Sequence, residues 1–200
     1  TATSTKTSTP TNTPTATSTN TPTPTRTSTP TATKTPTATP FVAPTCFGQA
    51  ATIYVQNGKI VGGPDNGKAY AGKLTGTNGA DVIVGTEGAD TIEANNGTDR
   101  ICGLSGNDTL RGNNDDDQID GGAGNDTVDG GAGIDTLAGG DGDDAVQGNN
   151  GNDVMDGGAG KDTLEGGNDN DTMTGGADAD KFKGGPGTDT ALDYNASQGD

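Results

Sequence analysis

Gly121-Gly122-Ala123-Gly124-Asn125-Asp126-Thr127-Val128-Asp129 is the clearest unit of a pattern that occupies over half of this 200-residue chain. Its aspartate recurs at a spacing of nine, without a slip, as Asp81, Asp90, Asp99, Asp108, Asp117, Asp126, Asp135, Asp144, Asp153, Asp162, Asp171, Asp180 and Asp189. Two residues beyond each comes an apolar side chain: Ile83, Ile92, Ile101, Leu110, Ile119, Val128, Leu137, Val146, Met155, Leu164, Met173, Phe182 and, weakly, Ala191. Glycine stands five residues before each aspartate except at Ala94, and two before except at Asp115, Asp169 and Asp178. Thirteen matches in one register do not arise from biased composition alone.

In Thr127-Val128-Asp129 the apolar residue has polar neighbours, the period-two alternation of a very short strand with one side chain turned inward. The glycines supply turns that need positive φ or leave no room for a Cβ. Strand, turn, strand, turn puts two nonapeptides, eighteen residues, into each coil. Coils then stack ~4.8 Å apart in two parallel sheets. The expected fold is all-β, a β-solenoid in which residues 76–193 make between six and seven coils.

Composition alone argues otherwise: 26% hydrophobic residues and a formal net charge of -17 are the profile of a disordered chain. The period overrides that average and sorts the aspartates onto two edges. Asp81, Asp99, Asp117, Asp135, Asp153, Asp171 and Asp189 share one, and the remaining six share the other. Carboxylates ~5 Å apart repel by ~1 kcal/mol even in water, so the pattern opposes its own fold unless cations intervene. Carboxylate and carbonyl oxygens are hard ligands and suit Ca²⁺. With no histidine and two cysteines, zinc and haem are poor candidates. The acidity argues against nucleic acid and anionic membranes as partners, and no apolar run approaches a membrane span.

These nonapeptides resemble the RTX calcium-binding repeats, written G-G-x-G-x-D-x-U-x. The resemblance implies a parallel β-roll in which each Ca²⁺ sits between a turn and its equivalent eighteen residues on. It makes Asp81 through Asp189 the side-chain ligands. The implied turn carbonyls are those of Gly121, Ala123, Asn125, Gly130, Ala132, Gly139, Asp141, Asp143, Gly148, Asn150, Asn152, Gly157 and Ala159. Six gaps along one edge and five along the other allow at most about eleven ions. Ala94-Asn95, Asn113 with Asp115, Asp169 and Asp178 depart from the pattern and should weaken their sites. The tail 194–200 resembles segments that close such rolls.

Upstream, residues 1–45 are of opposite character. Threonine fills every odd position from Thr1 to Thr39, and prolines at 10, 14, 22, 24, 30, 36 and 40 withhold backbone donors. We read a linker leaning to polyproline II, O-glycosylated or bare, similar to the stalks of bacterial surface and secreted proteins. Residues 46–75 read as a cap with a degenerate first repeat. Ala51–Val55 is an expected strand, Asn57-Gly58 a turn, and Ile60-Val61 the return. Gly62-Gly63-Pro64-Asp65-Asn66-Gly67-Lys68-Ala69 has phosphate-loop spacing, but Ala69 stands where Ser or Thr must hold Mg²⁺, so it reads as a loop. Cys102 follows core Ile101 and should point outward, within reach of Cys46 on the cap; a disulfide between them is expected.

Acidic pairs such as Asp116-Asp117 mark no catalytic pocket, and Lys161, Lys181 and Lys183 read as solvating cations. The expected function is a secreted or cell-surface calcium module without catalytic activity, which folds on Ca²⁺, its one expected cofactor, and spaces or attaches something. The alternatives are the calcium-binding C-terminal domain of a secreted enzyme joined to a covalent upstream domain, and a roll whose flat face binds carbohydrate or ice.

Overall fold

A computed structural model describes residues 42–192. The linker reading for residues 1–41 and the closing role of the tail 194–200 lie outside the described residues. No helix is present among the described residues, so none is long and apolar enough to cross a membrane.

The expected roll is the observed architecture. One seven-stranded parallel sheet comprises Val82–Val84, Arg100–Ser105, Gln118–Ala123, Thr136–Asp141, Val154–Ala159, Thr172–Ala177 and Thr190–Leu192. The other comprises Lys73–Thr75, Thr91–Asn96, Thr109–Asn114, Thr127–Ala132, Ala145–Asn150, Thr163–Asn168 and Lys181–Lys183. Each strand pairs with the one eighteen residues away, so Ile101, Ile119 and Leu137 stand in one line and Leu110, Val128 and Val146 in the other. Within a strand such as Thr127–Ala132, Val128 is buried, Thr127 is exposed and Asp129 lies between. The two lines meet as one narrow core from Leu74 to Met173.

Both ends depart from the pure repeat. Leu74 is fully buried and Lys73–Thr75 pairs with Thr91–Glu93, which gives the degenerate first repeat a place in the roll. At the far end Phe182 is only half-buried and Ala191 is exposed, so Ala191 is not the thirteenth core residue that the spacing suggested. The strand Thr190–Leu192 is the last of its sheet, and among the described residues no further coil covers it.

The cap closes the opposite end. Tyr54–Gln56 and Lys59–Val61 form the expected antiparallel hairpin, turning at Asn57 and Gly58, both of positive φ. Its first strand starts later than Ala51. Thr52 and Ile53 instead send their N–H groups to the Val82 carbonyl at 2.7 and 3.0 Å, which drives Ile53 and Ile60 onto the end of the core. Gly62–Ala69 is a loop, as expected. A second small pair, Thr45–Cys46 with Gln49–Ala50, carries Cys46 to Cys102, and the two form a disulfide with Cα atoms 5.8 Å apart.

The bridge closes a loop of 56 residues, for which chain entropy predicts ~4 kcal/mol of stabilisation. Cys46→Ser should therefore lower the unfolding free energy of the cap, read from chemical denaturation in saturating calcium, by about that amount, with a lower midpoint. Midpoints identical to the parent would show that the bridge is structurally idle.

Candidate metal centre

The twelve aspartates at nine-residue spacing from Asp81 to Asp180 are buried, at 8% exposure or less, while Asp189, before the last described strand, is half-buried. Their burial follows from the turn. Each aspartate immediately precedes a strand, so its side chain lies under the coil edge rather than in solvent. One oxygen is used at once: Oδ1 of Asp99 accepts the N–H of Asp81 at 2.7 Å, and the same bond repeats every coil to Asp189, which accepts from Asp171 at 3.1 Å. These bonds make two ladders of carboxylates, one along each edge.

The second oxygen is the unusual one. In Asp99, Asp108, Asp117, Asp126, Asp135, Asp144, Asp153, Asp162 and Asp171, Oδ2 is buried and no hydrogen-bond donor reaches it. A buried acceptor left so costs about 1–3 kcal/mol, more when charged. Nine in one protein are not incidental defects. In all but Asp99, which has Ala94 there, it faces the glycine five residues earlier. A side chain at Gly139 would put its Cβ 2.5 Å from Asp144 Oδ2 and 2.6 Å from the Gly157 carbonyl oxygen. The carboxylate of one turn and the carbonyl of the next thus lie within about 5 Å of each other, a span that one Ca²⁺ with bonds of ~2.3–2.6 Å can bridge. The same pair recurs beside Gly85, Gly103, Gly112, Gly121, Gly148, Gly157 and Gly166, although beside Gly85 the Asp90 oxygen already accepts from Thr86. Glycine is required here because any Cβ would occupy the oxygen-lined space.

This arrangement brings the Gly121, Gly130, Gly139 and Gly157 carbonyls to the aspartates Asp108, Asp117, Asp126 and Asp144. The carbonyls of Ala123, Asp141, Asn150 and Ala159 accept N–H groups of the preceding coil at 2.7–3.0 Å, leaving one lone pair each. Asn125, Asp143 and Asn152 hold the stack from outside, each accepting through its side chain the N–H eighteen residues on. Among the described residues no three His, Cys, Asp or Glu side chains converge on one point, so a cation here takes its oxygens from carboxylates and main chain together. That donor set fits Ca²⁺.

The non-consensus turns keep their shape. Asn95, Asn113, Asn149, Asp115, Asp169 and Asp178 all adopt the positive φ that glycine has elsewhere, which Asn and Asp tolerate best among side chains. The methyl of Ala94 is fully buried, in the place that glycine leaves open in front of later aspartates. Asparagines at 78, 96 and 114, and again at 150 and 168, stack amide to amide along one edge. Of the three downstream lysines, Lys183 pairs with Glu165 across one coil. Neither the asparagine stack nor the threonines that reach Asp81 and Asp90 were expected from the sequence. Their common signal is position relative to the aspartate: three residues before it for asparagine, four for threonine.

Burial, and then the charge of neighbouring aspartates, pushes Asp99 and Asp117 up to about 7 and Asp108, Asp135, Asp144 and Asp162 up to about 6. A carboxylate raised on folding stabilises the fold fully below its unfolded value near 3.8 and loses that contribution as pH rises through 6 to 7. In EDTA, lowering the pH from neutral to about 5 should therefore increase β structure, whereas in saturating calcium, where protons compete with the metal, it should not. Circular dichroism that is independent of pH in EDTA would show the aspartates are not buried as described.

A family model described as the RTX calcium-binding nonapeptide repeat matches four overlapping segments, residues 75–110, 103–137, 129–164 and 156–191. No curated protein matches the chain.

Proposed function

Because this chain belongs to the RTX calcium-binding nonapeptide repeat family, we propose that it works outside the cell as a non-catalytic module that calcium folds into a stiff spacer. RTX repeats bind calcium, and the two rows of buried aspartate oxygens without donors are the observation that carries the reading. Desolvated carboxylates in a column repel one another, and a divalent cation between successive turns cancels both costs. Folding and metal binding are then one equilibrium. Extracellular calcium modules work at about 10⁻⁴–10⁻³ M, so the calcium-binding coils of such a chain stay unfolded at cytosolic calcium and fold once outside.

The remaining features fit such a life. A disulfide suits an oxidising compartment. Parallel strands at a fixed rise give the roll a defined length. The module's task is to hold what is attached to it at a distance from a surface.

The test is the calcium dependence of the hydrodynamic radius of the intact chain. Compaction should occur between about 10⁻⁴ and 10⁻³ M Ca²⁺. Asp135→Ala should move the midpoint to higher calcium yet leave the transition in place, since neighbouring coils keep their own ligands. Compaction complete below micromolar calcium would contradict an extracellular switch, and total loss of folding in Asp135→Ala would contradict a ladder of separable sites.

A further inference from the structure

Two turns of the roll differ from all others. Gly76-Thr77-Asn78-Gly79-Ala80-Asp81 and Gly85-Thr86-Glu87-Gly88-Ala89-Asp90 share the form Gly-Thr-x-Gly-Ala-Asp. In every turn from Asp99 to Asp189 the residue four before the aspartate, whether Asn, Leu or Gly, has positive φ; Thr77 and Thr86 do not. The consequence is direct. Thr77 donates its N–H and hydroxyl to Asp81 Oδ2 at 2.7 and 2.8 Å, and Thr86 donates the same two groups to Asp90 Oδ2 at 2.6 and 3.1 Å. The oxygen that lacks a donor in Asp99 through Asp171 is here satisfied by the protein itself.

The same end also has a run of three consecutive buried apolar residues and a cap. Val82, Ile83 and Val84 are all buried, Ile53 and Ile60 of the cap close the core, and the Cys46–Cys102 disulfide ties cap to roll. Thr52 adds a further bond, its Oγ1 accepting the Val82 N–H at 2.9 Å. At the opposite end Phe182 is half-buried and Ala191 and Leu192 are exposed. A solenoid grows by adding each coil to a formed neighbour, and its first coil is the costly one.

We infer that the cap and first coil form a nucleus that needs no calcium, with Asp81 and Asp90 closed by threonine rather than serving as metal ligands, and that calcium-dependent coils from Asp99 onward assemble on it from the N-terminal side. The inference rests on the calcium reading for the later turns. Donors supplied within the turn offset the desolvation of Asp81 and Asp90 before any ion arrives. The roll thus has one end always ready and one that forms only in calcium.

Hydrogen exchange of the intact, oxidised chain, read by mass spectrometry along a calcium series, tests this. In EDTA, peptides from residues 45–92 should exchange slower than unstructured chain by at least an order of magnitude, while those from 118–180 exchange freely. Protection should then spread toward the C-terminus as calcium rises. The double variant Thr77→Gly with Thr86→Gly, which converts both turns to the glycine form, should make protection of residues 73–92 calcium-dependent. Free exchange of 45–92 in EDTA, with protection gained at the same calcium as 118–180, would overturn the nucleus and leave the calcium reading standing. Protection that calcium changes nowhere would overturn the calcium reading and the nucleus with it.

Discussion

A carboxylate oxygen buried without a donor, repeated every nine residues, is the constraint on which this structure turns. One such oxygen costs a protein a substantial part of its net stability. Here the oxygens from Asp99 to Asp171 lie in two columns, most of them beside a main-chain carbonyl of the next coil. Nothing in a side-chain inventory of Gly, Asp, Asn, Ala and Thr offers a donor for every one of them, and the backbone N–H that could serve is spent on Oδ1. The remaining source of positive charge is a cation, and the oxygen-only surroundings select a hard one.

The other features follow from keeping that arrangement in register. A coil of exactly eighteen residues returns each aspartate above its predecessor, and the single inward residue per strand pins the register, since a slip of one would turn Val128 or Leu137 to solvent. Glycine five residues before the aspartate keeps the oxygen-lined space open. Outside, the stacked asparagines and the side chains at 125, 143 and 152 bond coil to coil without entering that space. The core is one side chain wide, so the packing alone is thin, and metal binding has a correspondingly large part in folding.

Much of this was legible because a solenoid translates its own sequence: the spacing of Asp126 and Val128 in one unit predicts strand, turn, edge and sheet for all the others. The disulfide was legible too, since Cys102 follows a core residue and so faces out. What the repeat could not reveal lies where repetition fails. Ala191 has the right spacing, but among the described residues no coil lies beyond it, and it is exposed. Ala51 and Thr52 have strand-like neighbours, yet the Val82 carbonyl draws Thr52 and Ile53 into the roll's end. Thr77 and Thr86 look like simple losses of glycine, but the sign of φ at that position decides whether the turn caps its own aspartate. That sign depends on the folded turn and not on spacing.

The most direct measurement is a crystal structure of the chain grown in calcium, with anomalous difference maps collected at long wavelength. Peaks should fall between turns eighteen residues apart on both edges, each bonded to Oδ2 of an aspartate between Asp99 and Asp171 and to a carbonyl of the adjacent turn. An intact roll with no anomalous peaks at those aspartates, their Oδ2 atoms met by water or by protons instead, would contradict the account.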